Sequence, residues 1–436
     1  MTLLNTKNFP TSVRIFILAI GFDFFAWGFL DPFFSLFSHS LLKSFFLVGL
    51  ITALKGVSGL FALGPLLEWI RVSSAPPVAL FARICTLFAI SFYAAAGIFF
   101  LPSLLFIGGI LQGIGNSARD VSCRDFLMES STKENASTIL GTNFSFRSGC
   151  WILTAAFSGI ILLLLSDIFS TEYARVFPLL CLLVCPFFIV AFLLLRRIPQ
   201  KTSLSFPISA LAPRNFFQKE QSLFRSFFLL PLRLQYLMLL ICFLQVIQIS
   251  LLLFLPILAN ELKLSLPEIG FLMATMFCPL LFSALFSVFE DRTDRMLFII
   301  GGLFFAAVPL LILSQTTAPL LVGLCAVLIS LSLAVVLPAN LGSIAAETSH
   351  EKAPEIASLQ ILFQRFGTLL GAFFTGFLSQ YFGIQSAFFT IAGITVLFAL
   401  CAVVVKWYLQ EQTVIKNHPF HIHPLHPQLF HIHHVS

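Results

Sequence analysis

A chain of 436 residues that is 58% hydrophobic and only 10% charged cannot cover a soluble globule with ionised surface. Its mean hydropathy of +0.98 and its 54 phenylalanines suit a polytopic protein whose surroundings are lipid. The net charge of +6 is small, and the partner it points to is the bilayer rather than nucleic acid.

About 20 apolar residues cross roughly 30 Å of hydrocarbon. On that rule twelve spans are expected, at roughly 12–37, 44–67, 77–100, 103–121, 137–165, 177–195, 235–257, 268–289, 296–314, 319–338, 356–380 and 384–409. No small-residue cleavage site follows a short apolar core at the start, so the first run reads as an uncleaved span. With both termini in the cytoplasm, 18 of the 25 Lys and Arg lie inside and only Lys43, Arg175 and Lys263 lie outside. That asymmetry obeys the positive-inside rule and places the chain in the cytoplasmic (inner) membrane.

The first span carries Asp23 near its centre and Asp31 beside Pro32, where a helix can bend. At about 1.5 Å per residue, Asp23 lies about 16 Å above the cytoplasmic start, and Lys55 in the second span about 20 Å above Glu68. The matching depths predict an Asp23–Lys55 ion pair, with Asp23 as the candidate proton carrier. In the third span Arg83 is near enough to the inner face to snorkel. Gln112 and Asn116 in the fourth span and Asn143 in the fifth are candidate hydrogen-bonding groups. Arg147 reaches the level of Asp23.

Residues 196–234 form a basic linker, with Arg196, Arg197, Lys201, Arg214, Lys219, Arg225 and Arg233. It divides an N-terminal six-helix bundle (1–195) from a C-terminal one (235–410). Beyond it, Gln245 and Gln248 join the candidate hydrogen-bonding groups, and Arg365 reaches the depth of Arg147. The loops "ESSTKENASTILGTNFSFRSG" (129–149) and "ETSHEKAPEIASLQILFQRFG" (347–367) align without gaps. Glu129, Ser131, Arg147 and Gly149 then match Glu347, Ser349, Arg365 and Gly367, as an internal repeat predicts. The tail 411–436 is expected to be disordered; its stretch 417–436 holds seven of the nine histidines.

Nine cysteines form no CxxC pair and read as small buried side chains; no metal or cofactor is implied. No HExxH or GxSxG is present, so the chain is not read as an enzyme. A channel would show a continuous polar stripe, and none is visible.

The loop "SVFEDRTDR" (287–295) resembles the G-x-x-x-D-R-x-x-R signature of the major facilitator superfamily, with Ser287 in place of glycine. The loop "GPLLEWIRV" (64–72) resembles it more loosely, with Glu68 for the acid and Trp69 for the arginine. The resemblance implies an all-α fold of twelve transmembrane helices in two pseudo-symmetric six-helix bundles. It also implies a cytoplasmic gate in which Glu68 is partnered by Arg119, and Asp291, Arg292 and Arg295 form the second copy. Gly109 stands where a related family motif begins with arginine, and "TAAFSG" (154–159) lacks the exporters' Gly-Pro pair; both depart from the drug/proton antiporters.

The midplane then holds Asp23, Lys55, Arg147 and Arg365, a net positive site. Arginine suits carboxylate or phosphate. The expected function is a monomeric secondary transporter that moves a small organic anion by alternating access, with protons as a possible coupling ion. A multidrug or metabolite efflux permease and a non-transporting receptor or scaffold are the alternatives.

Overall fold

The computed structural model describes residues 10–130, 136–169, 173–198, 225–283, 286, 294–348 and 353–417. They form α1 (Thr11–Leu42), α2 (Phe45–Ser73), α3 (Ala75–Phe99), α4 (Ser103–Glu129), α5 (Ala136–Phe169) and α6 (Tyr173–Arg196). After the linker come α7 (Leu232–Glu261), α8 (Leu266–Phe277), α9 (Arg295–Leu313), α10 (Pro319–Glu347), α11 (Ala353–Phe382) and α12 (Ile384–Asn417). A 3-10 turn, Cys278–Phe282, extends α8. Ten of the described helices are long and apolar enough to cross a membrane, and the chain is an integral membrane protein. The two others are α8, which is short, and α4, whose second half holds Arg119, Asp120, Arg124 and Asp125.

Turn chemistry sets the breaks between helices. The α1 helix ends where Lys43 adopts a left-handed backbone (φ 53°), and the Ser44 hydroxyl then accepts from Leu47 N at 3.3 Å to start α2. Ser265 and Glu268 form a capping box at α8. Gly383, at φ 85°, allows the one-residue turn between α11 and α12.

Within the first six helices, α1 packs on α5 and α6, α4 on α2 and α3, and α3 on α6. The last six repeat the plan: α7 packs on α11 and α12, α10 on α8 and α9, and α9 on α12. Two long crossings join the sets, α2 with α11 and α5 with α8, and they exchange under the same two-fold relation. Both crossings are built on glycine. A side chain at Gly49 or Gly56 would meet α11 backbone, and one at Gly159 would meet the backbone of Leu266 and Pro267. These near-contacts lie in the half of the helices away from the chain termini, and there the two sets are pressed together.

Candidate functional site

Nearer the middle, α1, α3, α4, α5 and α11 bring seven ionised side chains together. Asp23 is fully buried, and its two oxygens face Arg83 Nη1 and Arg119 Nη1, each at 3.2 Å. Arg119 Nε also reaches Asp120 at 3.2 Å, and the other oxygen of Asp120 takes Arg365 Nη2 at 2.5 Å. The chain Arg83–Asp23–Arg119–Asp120–Arg365 therefore runs from α3 in the first half to α11 in the second.

Two further arginines adjoin it, without an acid of their own among the described residues. Arg124 donates to Gln360 Oε1 at 3.4 Å and to Gln364 Oε1 at 3.2 Å. Arg147 lies over the rings of Phe24 (4.7 Å) and Phe144 (5.1 Å), and Phe24 bears Arg119 at 4.7 Å as well. Both act electrostatically on Asp120. Five guanidiniums and two carboxylates give the cluster a formal +3. Counted from the ends of their helices at about 1.5 Å per residue, all seven lie about 8 to 18 Å in.

Several expected contacts are replaced. Asp23 does not pair with Lys55, because Arg83 and Arg119 reach it from α3 and α4. Lys55 instead sits 3.8 Å above the Phe34 ring. Arg83 does not snorkel; its side chain is 0% exposed. The Asp23 carboxylate opposite holds it inside. Arg119 serves Asp23 and Asp120 and not Glu68, so the first gate is not built as the resemblance implied. Arg295 donates to the Gly342 carbonyl on α10 at 3.0 Å, while Asp291 and Arg292 lie outside the described residues, as do 199–224 and 418–436.

The amides divide. Gln112 accepts from the Tyr93 hydroxyl at 2.6 Å, and Asn143 donates to Cys123 Sγ at 3.6 Å, so both bridge helices within the first bundle. Gln245 and Gln248 on α7 are half-buried and have no side-chain hydrogen bond among the described residues. Asp31, expected beside a bend, instead accepts from Trp151 Nε1 at 3.1 Å. Gly109 has a steric use: α4 packs against Ile51 and the Lys55 stem at this point. A cavity of about 450 Å³ at the far end, lined by Ser314, Gln315, Gln385, Ser386 and Thr390 with three apolar side chains, has no ionisable lining residue.

Arg124 was missed because the fourth span was ended at residue 121 by its loss of apolar character, and Asp120, inside that span, was passed over beside Arg119. The available signal was the segment "ARDVSCRD" (118–125), whose alternating charges suit a helix that continues among partners.

Residues 237–427 match the family model of the Major Facilitator Superfamily. Among solved structures, the chain is similar to a mutant form of the nucleoside transporter NupG. The TM-score is 0.66 at 13% identity, over 90% of this chain and 99% of that one. At that identity the likeness speaks for the fold. No curated protein matches the sequence. The fold is like that of the transporter structure, and the family's sequence pattern is matched in the second half of the chain.

Proposed function

We propose that this chain, a major facilitator by fold, is a secondary carrier of a small organic solute bearing a carboxylate or phosphate. The observation behind this reading is that, among the described residues, Arg124 and Arg147 have no acid partner beside a network that already contains three other arginines. A buried charge without a counter-charge is expensive, and a bound anion would supply one. Arginine grips such anions bidentately. Gln245, whose Cβ lies against Gly367 two residues beyond Arg365, would be a neutral donor. The nucleoside transporter to which the chain is similar supports a small-solute permease.

Alternating access needs one side that closes by shape and one that releases. The glycine crossings supply the first. On the side of the chain termini the halves are tied by Asp120–Arg365 and by Arg124 to Gln360 and Gln364, polar contacts that water or a substrate can replace. An anion arriving at Arg365 competes with Asp120, so binding and release of the tie are linked.

Proton coupling through Asp23 fits the geometry poorly, because protonation there would remove two ion pairs at once. Coupling by exchange of one solute for another is the form proposed. The test is counterflow in proteoliposomes loaded with a panel of carboxylates and phosphate esters. Accumulation driven by a trans-anion, unchanged by collapse of the pH gradient and lost in Arg147→Gln, supports the carrier. Absence of flux for the whole panel removes it.

A further inference from the structure

Next to the arginine cluster, the seam between α1, α2 and α5 holds two opposite charges that do not meet. The Asp31 carboxylate takes one hydrogen bond, from the neutral indole of Trp151 at 3.1 Å. The Lys55 ammonium rests 3.8 Å above Phe34 and 5.6 Å from the centre of the Tyr93 ring. No ion pair within 4 Å joins Lys55 to Asp31, and both side chains are only half-buried. Each therefore faces space rather than packing. The other charged groups acting on Asp31 are Arg119 and Asp23, and each of those is already engaged.

The seam is continuous with the proposed anion site. Arg147 and Trp151 are four residues apart on α5, hence one above the other on one face of that helix. The Trp151 ring packs against Phe277 of α8 at 4.2 Å, so a wall of this space belongs to the other half of the molecule. Gly109 and Gly113 let α4 approach the Lys55 turn of α2 closely, which fixes the lysine stem from behind.

We infer that the carried solute is an ampholyte, whose amino group is received by Asp31 and whose acidic group is received by Lys55 and Arg147, between Phe34, Trp151 and Phe277. A purely anionic solute would neutralise the cationic side and leave the carboxylate without a counter-charge; a molecule with both signs satisfies both. The aromatic walls favour an ammonium beside the acid and an apolar body between the ends. The inference rests on the carrier reading and narrows its substrate class to amino acids or related amino-bearing acids.

Calorimetry on the full chain in detergent tests it with three trios that share a carbon skeleton: acid alone, amino acid, and amine alone. Suitable sets are butyrate, 2-aminobutyrate and propylamine; hexanoate, norleucine and pentylamine; and 3-phenylpropionate, phenylalanine and phenethylamine. In at least one trio the amino acid should bind at least tenfold more tightly than both relatives, and Asp31→Asn should erase its advantage over the acid. If no trio shows that preference, including the case in which none of the compounds binds, the ampholyte pocket is overturned. Proteoliposome flux separates the two readings. An amino acid that binds but is never moved defeats the carrier, whereas acids that are moved with no preference for amino acids defeat the pocket alone.

Discussion

The two bundles share a helix plan but divide the chemistry unequally. The first buries Asp23 and Arg83 and partly buries Arg119, Asp120, Arg124 and Arg147 part-way along its helices. The second contributes Arg365 to that level and places its other described ion pairs near helix ends, Arg233 with Glu347 and Lys406 with Asp294, each at 2.7 Å. The difference points to a division of labour. On the proposed reading the first bundle carries most of the binding charge, and the second contributes a single guanidinium that reaches across. The bundle richer in charge is also the one outside the family-model match, so here the shared scaffold and the individual chemistry occupy different halves.

The sharpest way to break this comparison is to remove the acid at the centre of the first bundle. Asp23→Ala leaves Arg83 buried with no counter-charge and Arg119 with Asp120 alone, an expected loss of about 3–5 kcal/mol. Thermal unfolding in detergent should show it as a collapse of the folded fraction. The double change Asp23→Leu with Arg83→Met should recover most of the loss, since it removes charge together with counter-charge. A single mutant as stable as the parent would mean that the network is not what holds α1, α3 and α4 together.

Arg147 should behave differently, because no acid depends on it. Arg147→Gln is expected to leave the unfolding temperature nearly unchanged while lowering uptake on the order of 100-fold, the scale of a lost charge-assisted contact to substrate. The same substitution at Arg83 should do the reverse, destabilising first. Measuring both variants for both properties separates a binding arginine from a structural one.

The tie between the halves comes next. Asp120→Arg and Arg365→Asp each place like charges at a 2.5 Å contact and should each slow transport by about tenfold or more. Combined, they restore an opposite-charge pair, and the rate should recover at least in part. No recovery in the swap would show that these residues act separately rather than as a latch.

The order of the apolar helices was legible because hydrocarbon thickness imposes a length on every apolar run. The positions of the charges along their helices were legible for the same reason. Which charge meets which was not. The counted depths of Asp23 and Lys55 agree, but depth is one coordinate, and the direction a residue faces decides the partner. Asp23 is turned toward α3 and α4, and Lys55 toward Phe34 and Tyr93. The ends of α4 and α10 were also drawn short, at 121 and 338 instead of Glu129 and Glu347, since a helix can continue past its apolar stretch when neighbours receive its polar turns. That shortening is what hid Arg124. The gate drawn from the signature loop failed at Arg119 because the resemblance supplied a partner type without knowing about Asp23.

A smaller effect is expected at the glycine crossings, which belong to neither binding nor charge. A Cβ at Gly49 would meet the Ala372 carbonyl and Gly376 Cα, both backbone and unable to swing aside. Gly49→Leu should therefore favour separation of α2 from α11 by about 1–3 kcal/mol. Thiol labelling of a cysteine placed at Phe46, in an otherwise cysteine-free background, should speed up, while substrate affinity falls only through the shifted population. Unchanged labelling would mean that this face does not open.

The least effect is expected where the second bundle keeps its charge at a helix end. Asp294 caps α9 by accepting from Met296 N at 2.9 Å and pairs with Lys406. Partial burial pushes its carboxyl upward, but the Lys406 ammonium and the Met296 amide together outweigh that and hold it below the ordinary carboxylate value. A depressed folded value means that the stabilisation is present above the unfolded pKa and is lost as pH falls through the folded one. Asp294→Asn should thus lower stability slightly at neutral pH, by about 0.5 kcal/mol or less for so exposed a pair, and the gap from the parent should close on acidification below about pH 4. High salt should close it as well. If this end pair proved as costly to remove as Asp23, the second bundle would depend on charge as much as the first, and the division of labour between them would not stand.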